Sequence, residues 1–149
     1  MRTHNSTSRS GRGRQKGHAV LEAAFLMPWL IFLFVGAFDM GFYCYALICT
    51  ENAVRIAAMY TSSSNSTAAD AGTACSLALG ELGWLNNLNG VTTCDSLPLI
   101  VTAASAPGPD NAGSSQVTVT YQSSQLIPIP GVLTGRLTIT RTAQMRLKS

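Results

Sequence analysis

A long apolar segment near the N-terminus constrains this chain more than any other feature. Residues 19–38 are almost entirely apolar, and the main interruptions are Glu22 and Pro28. Because an α-helix rises about 1.5 Å per residue, about twenty such residues span roughly 30 Å, the thickness of the hydrocarbon core of a bilayer. The sequence therefore predicts a helix that can cross a membrane once.

The segment before this helix is polar, basic and rich in Gly and Ser, and we interpret residues 1–17 as a disordered leader. Its charged residues are all positive: Arg2, Arg9, Arg12, Arg14 and Lys16. By the positive-inside rule, the leader stays in the cytoplasm and the chain after Phe38 lies outside the inner membrane. A basic arm that binds nucleic acid is the alternative, but the adjacent span explains the same charges.

The rest of the chain has no excess of positive charge. It carries five of the ten basic residues and all seven acidic ones. Charged residues make up only 11% of the chain, and the formal net charge of +3 comes from the leader. The charge therefore indicates membrane topology, and no nucleic-acid partner is predicted.

Glu22 is unusual because it lies just inside the apolar run, five residues after Gly17. A carboxylate in hydrocarbon costs on the order of 3 kcal/mol, and less near the end of a span. A basic leader, Gly17, a short spacer, Glu22 and a long apolar helix together resemble the prepilin signature. The resemblance implies cleavage by a prepilin peptidase after Gly17, with His18 as the new N-terminus. It also implies that Glu22 meets the terminal amine of a neighbouring subunit, which lowers the cost of burying the carboxylate.

The residues that follow resemble one class of pilin-like proteins. Glu22, Pro28, residues 39–42 (DMGF) and residues 51–58 (ENAVRIAA) are similar to the TadE-like minor pilins, or pseudopilins, of tight-adherence (Flp) pilus systems. The resemblance covers residues 17–60 well and the remainder loosely. It implies a non-enzymatic protein that helps to assemble a pilus for surface attachment. Its implied partners are the prepilin peptidase, other pilin or pseudopilin subunits, the inner-membrane assembly machinery and the lipid bilayer.

The predicted apolar helix covers residues 18–60. Pro28 lacks a backbone N–H, so the carbonyl of Ala24 loses its usual partner, and we expect a kink or a loosened turn there. Asp39 should mark the outer membrane interface, together with an aromatic belt of Phe42, Tyr43 and Tyr45. An apolar stripe then follows at helical spacing, and it predicts packing against the protein's own domain and against neighbouring helices. Its members are Ala46, Cys49, Ala53, Ile56, Ala57 and Tyr60.

Residues 61–149 predict a small extracytoplasmic domain. Apolar periodicity predicts a helix over residues 68–85, with Thr67 and Asp70 as a start of the capping-box type. Apolar runs or alternation at residues 97–103, 117–121 and 137–147 predict three strands. Arg141 falls on the apolar side of the last strand, so we expect a bulge or a twist there. The predicted fold class is α+β, with a long N-terminal transmembrane helix and a small antiparallel sheet crossed by a short helix.

The cysteines form two pairs by context. Cys75 and Cys94 lie in the extracytoplasmic part, where an oxidising compartment favours a disulfide that would stabilise the domain by roughly 3 kcal/mol. Two unrelated buried thiols are the alternative. Cys44 and Cys49 are five positions apart on one helix and point in different directions, so we expect them to be packing residues. An intersubunit bond through them is the other reading.

No catalytic or cofactor-binding pattern is apparent. After cleavage His18 would be the only histidine, so no Ser-His-Asp or Cys-His site is expected outside the membrane. No His and Cys cluster has zinc spacing, and no phosphate-binding glycine loop is present, so we expect no enzyme and no cofactor. A calcium site built from scattered carboxylates stays open.

Two other readings of the N-terminus stay open. Residues 35–37 (VGA) satisfy the small-residue rule for signal peptidase, which would release a secreted domain after Ala37. Alternatively, the helix is a plain single-pass anchor for an extracytoplasmic binding domain. The N-terminal residue of the mature protein separates the three: His18, Phe38 or an uncut leader.

Overall fold

The computed structural model describes residues 13–124 and 136–148. The chain divides into two compact units, unit 1 (Met1–Phe38) and unit 2 (Asp39–Ser149). In the described residues it forms a long helix, α1 (Gly13–Thr61), a short helix, α2 (Ala71–Leu82), and a four-stranded antiparallel sheet. The strands are β1 (Asp95–Ser96), β2 (Leu99–Pro107), β3 (Gly113–Gln122) and β4 (Thr138–Arg146). The α+β fold class predicted from the sequence is confirmed.

The described part of unit 1 is helical throughout. Because α1 begins at Gly13, the prediction that the whole leader is disordered is wrong for residues 13–17, and residues 1–12 lie outside the described residues. Arg, Gln and Lys are good helix formers, so the helix nucleated by the apolar run extends into them. The helix continues through Pro28, and a bend of its axis there stays a prediction.

The apolar side chains of unit 1 face outward. The large ones from Val20 to Phe38 each keep more than half of their surface exposed, except Val35, which is half-buried. Within the described residues, one helical stretch is long and apolar enough to cross a membrane, and it runs from His18 to Thr61. α1 therefore carries a candidate membrane span near the N-terminus.

The second part of α1, residues 39–61, packs along one side of the core of unit 2. Ala46, Ala53 and Ala57 are fully buried, in the same cluster as Val117 and Val119 of β3. This confirms that the apolar stripe packs against the protein's own domain. On the exposed side of the helix lie Ile48 and Met59, and packing of α1 against neighbouring subunits stays a prediction.

Helix α2 is shorter than the predicted range of 68–85. Asp70 is its N-cap, because its side chain accepts a hydrogen bond from the backbone N–H of Thr73 at 3.0 Å. The capping-box start at Thr67 is therefore wrong. The hydroxyl of Thr67 instead accepts a hydrogen bond from the backbone N–H of Ser64 at 3.2 Å, within the preceding turn. The apolar spacing that predicts this helix also places Ala71 and Leu85 on its buried face. In the structure the buried face of α2 consists of Ala74, Cys75, Ala78 and Leu82, whereas Ala71 is exposed and Leu85 lies beyond the end of the helix.

The sheet is a meander in which strand order equals chain order, and each neighbouring pair is antiparallel. β3 lies between β2 and β4 and alternates as predicted. Val117, Val119 and Tyr121 are fully buried, whereas Thr118 and Thr120 lie on the opposite face. The two-residue strand β1 is additional to the three predicted strands.

Arg141 lies in a regular strand. The pairing of β3 with β4 is unbroken from Ser114↔Arg146 to Gln122↔Thr138, so the predicted bulge is wrong, and a local twist stays a prediction. Arg141 occupies an inward position of the outermost strand. Its guanidinium therefore reaches past the sheet toward α1 and stays 44% exposed, so it is not buried in the core.

Candidate assembly site on helix α1

The predicted cleavage junction lies inside the first turns of α1. Gly17 follows the helix start at Gly13 by four residues, and the side chain of His18 is exposed. A protease needs extended backbone, so cleavage here requires these turns to unwind. Helix ends fray readily, which makes this position more accessible than the middle of α1.

Glu22 projects from a surface that is otherwise apolar. One helical turn away lie His18 and Ala19 on one side and Phe25 and Leu26 on the other. Phe25 and Leu26 are 76% and 60% exposed. Among the described side chains, none forms an ion pair with Glu22. The side chain of Glu22 is exposed, so a partner outside this chain can reach its carboxylate.

Asp39 differs from its expected setting. It is only 7% exposed, and its Oδ2 atom has no hydrogen-bond partner among the described residues. Phe42 and Tyr43 pack partly against the core of unit 2, and of the three predicted belt residues only Tyr45 is exposed, at 46%. The location of Phe42, Tyr43 and Tyr45 at a membrane interface stays a prediction. Sequence alone could not show the partial burial of Phe42 and Tyr43, because much of the core cluster comes from distant parts of the chain.

A small ion-pair network connects α1 to the sheet. The predicted pair between Glu51 and Arg55 is confirmed, with Nε and Oε1 3.2 Å apart. The other carboxylate oxygen of Glu51 lies 3.5 Å from Nε of Arg141. All three side chains are at least 41% exposed, so each pair contributes at most about 1 kcal/mol.

The predicted disulfide is confirmed. Cys75 and Cys94 are bonded with their Cα atoms 5.8 Å apart, which joins α2 to the segment before β1. Cys49 is half-buried against the core as expected. Cys44 is exposed and does not pack in the core of its own chain, so its packing against another subunit stays a prediction.

One hydrogen-bond network was missed from the sequence. The hydroxyl of Tyr121 donates to Oδ1 of Asn87 at 2.6 Å, and Nδ2 of Asn87 donates to the carbonyl of Gln122 at 2.6 Å. The partners are 34 and 35 residues apart, and no local motif marks such a pair. Burial raises the pKa of Tyr121 above its ordinary value of 10.0. The network fixes the turn at residues 86–88 to the end of β3.

The described residues contain no group of three or more His, Cys, Asp or Glu side chains placed to hold a metal ion. A cavity of about 220 Å³ lies beside the disulfide, and Asp95 is its acidic lining residue.

Searches of protein-family models, curated proteins and solved structures found no match to this chain. The functional argument therefore depends on the chain's own residues.

Proposed function

We propose that this protein is a non-enzymatic minor pilin or pseudopilin. A prepilin peptidase removes residues 1–17, and the apolar part of α1 holds the subunit in the inner membrane with unit 2 on the extracytoplasmic side. The subunit then takes part in assembling a tight-adherence pilus for surface attachment. Its partners are other pilin or pseudopilin subunits and the inner-membrane assembly machinery.

The observation that carries the proposal is the setting of Glu22. Its carboxylate lies on an exposed apolar helix face, without an ion pair among the described side chains. In hydrocarbon an unpaired carboxylate is unfavourable by on the order of 3 kcal/mol. A terminal amine at His18 of a second subunit would neutralise it. Such pairing would also fix the axial register of one helix against the next.

The layout of the chain supports the same proposal. The apolar part of α1 ends at Phe38, and the second part of the same helix is built into the core of unit 2. An apolar helix with exposed side chains can contact lipid before assembly and other helices after it. Unit 2 is closed by the Cys75–Cys94 disulfide, which suits an oxidising compartment.

The first experiment is the mass and N-terminal sequence of the protein from its native cells. The proposal expects the chain to begin at His18. Gly17→Leu should accumulate as full-length precursor, whereas Gly13→Leu, a matched change within the leader, should be processed normally. A chain that begins at Phe38 would indicate a secreted domain. An uncut leader in cells with functional pili would indicate a plain membrane anchor.

The second experiment separates the charge of Glu22 from its size. Glu22→Gln and Glu22→Ala should be processed normally but assemble poorly, and Glu22→Asp should restore part of the assembly. Assembly is measured by co-purification of tagged and untagged copies and by the amount of pili on the cell surface. Wild-type assembly by Glu22→Gln would contradict the role of the charge.

A further inference from the structure

One end of unit 2 can be located from contacts within that unit. The backbone N–H of Lys148, just after β4, donates to the carbonyl of Ser62 at the C-terminal end of α1. Farther back along β4, Arg141 contacts Glu51. β4 therefore runs antiparallel to α1, and its first residue, Thr138, lies toward the end of unit 2 that contains Asp39.

The loops around Gln122 lie at this same end. Gln122 pairs with Thr138. Its backbone N–H donates to the carbonyl of Pro98, and its carbonyl accepts from Asn87. We call the end of unit 2 marked by Asn87, Pro98 and Gln122 the base.

The base carries exposed side chains of a particular kind. Trp84, three residues before Asn87, is 84% exposed, and Leu97, next to Pro98, is 50% exposed. Leu97 lines a cavity of about 300 Å³ together with Asn87 and the exposed Arg136. Trp, Leu and Arg are side chains that favour the interface between lipid and water.

The base lies a short distance along α1 from the N-terminal end of unit 2. Thr138 lies about 10 Å along β4 from Arg141. The same length of α1, counted from Glu51 toward the N-terminus, is about seven residues. The base is therefore level with about residue 44, or roughly 8 Å along the helix from Asp39. Asp39 is covalently bonded to Phe38, the last residue of the apolar run. The headgroup layer that flanks the hydrocarbon core is about 5–8 Å thick, which is comparable to this distance along α1.

We propose that the base of unit 2 is a membrane-contact surface, in which Trp84 and Leu97 enter the headgroup layer and Arg136 meets lipid phosphate. This inference depends on the proposed location of the apolar part of α1 in a bilayer. The contact would hold unit 2 against the membrane before assembly, and extraction of a subunit would have to break it.

The two tryptophans of the chain, Trp29 and Trp84, allow a test that separates the two proposals. The full-length protein is placed in vesicles of phosphatidylethanolamine and phosphatidylglycerol that contain lipid spin-labelled either near the headgroup or deep in the acyl chain. Trp29→Phe leaves Trp84 as the only tryptophan reporter, and Trp84→Phe leaves Trp29. As a water-exposed control, Met59→Trp is made in a chain that lacks both native tryptophans, because Met59 lies near the opposite end of unit 2 and is 64% exposed.

We expect Trp84 to be quenched more by the shallow label than by the deep one, and to be less quenched by aqueous iodide than the control. Trp29 should be quenched more by the deep label. If Trp84 is quenched by iodide as strongly as the control while Trp29 behaves as expected, the contact surface is refuted and the membrane span is retained. If lipid labels do not quench Trp29, both proposals fail. If Trp84 is protected from iodide but insensitive to both labels, it contacts a second copy of the chain, and the inference is overturned.

Discussion

Removal of the Tyr121 hydroxyl should destabilise unit 2 without changing its shape. The ring of Tyr121 is fully buried and would be retained in Tyr121→Phe, so little apolar burial is lost. The change leaves Oδ1 of the half-buried Asn87 without its donor at 2.6 Å. A lost hydrogen bond of this kind costs about 1–2 kcal/mol, which corresponds to roughly 5–10 °C in melting temperature for a domain of this size.

The assay is urea unfolding of the full chain in a non-ionic detergent, followed by near-ultraviolet circular dichroism. Tyr60→Phe is the matched control, because its hydroxyl donates to Oδ2 of Asp70 at 3.1 Å in a half-buried setting where water can replace it. It should cost less than about 0.5 kcal/mol. Asn87→Ala removes both hydrogen bonds of the network and should cost about 2–3 kcal/mol.

A double-mutant cycle tests the coupling between the two residues. In the Asn87→Ala background the Tyr121 hydroxyl has already lost its acceptor, so its removal should cost nothing or even stabilise the domain. The coupling should be about 1 kcal/mol. Strictly additive effects of Tyr121→Phe and Asn87→Ala, or a wild-type stability for Tyr121→Phe, would refute the reasoning.

Three further outcomes are expected from the same assay. The hydrogen bond from Thr73 N–H lowers the pKa of Asp70 below its ordinary value of 3.8. The stability that Asp70 contributes is therefore present above pH 3.8 and is lost as the pH falls through the lower folded-state pKa. Asp70→Asn should remove this part of the acid sensitivity, and an unchanged dependence of stability on pH would contradict the prediction. Replacing Cys75 and Cys94 together by Ser should cost about 3 kcal/mol, because the disulfide closes a loop with a sequence separation of 19, and reduction of the wild type should reproduce the loss. Ala57→Leu should cost about 1–3 kcal/mol because Ala57 is fully buried in the core, whereas Met59→Leu at an exposed site should be nearly neutral; equal stabilities would show that the core tolerates the larger side chain.

Features set by neighbouring residues could be predicted from the sequence. The apolar run at residues 19–38 predicted the helix, and the alternation of valines with threonines predicted β3. The compartment implied by the span predicted the disulfide between Cys75 and Cys94. In each case one local pattern decides the outcome, because burial or redox chemistry favours a single structure.

Features decided by tertiary contacts could not be predicted. Thr67 and Asp70 are both residues that favour the N-cap position. That the helix begins after Asp70 depends on tertiary contacts of the segment before α2. One such contact is the hydrogen bond from the buried hydroxyl of Ser115 to the carbonyl of Ala68 at 2.8 Å. Likewise, Arg141 is accommodated in a regular strand because β4 is at the edge of the sheet and Glu51 lies within reach.

The candidate assembly site was only partly accessible from the sequence. The position of Glu22 in an apolar run is evident in the linear chain, but the exposure of its whole helix face is a property of the structure. The burial of Asp39 could not be anticipated, because no pattern in the neighbouring sequence indicates it. The resemblance to pilin-like proteins remains a hypothesis that the processing and assembly experiments decide.

The meander order of the strands has a consequence for how the domain matures. As the polypeptide is synthesised from its N-terminus, β2 can pair with β1, then β3 with β2, and β4 with β3, so each new strand finds its preceding partner already present. Cys75 and Cys94 both precede β2, so the disulfide can close before the main strands arrive. Folding can therefore keep pace with delivery, which limits the time during which unpaired strand edges could associate with other chains.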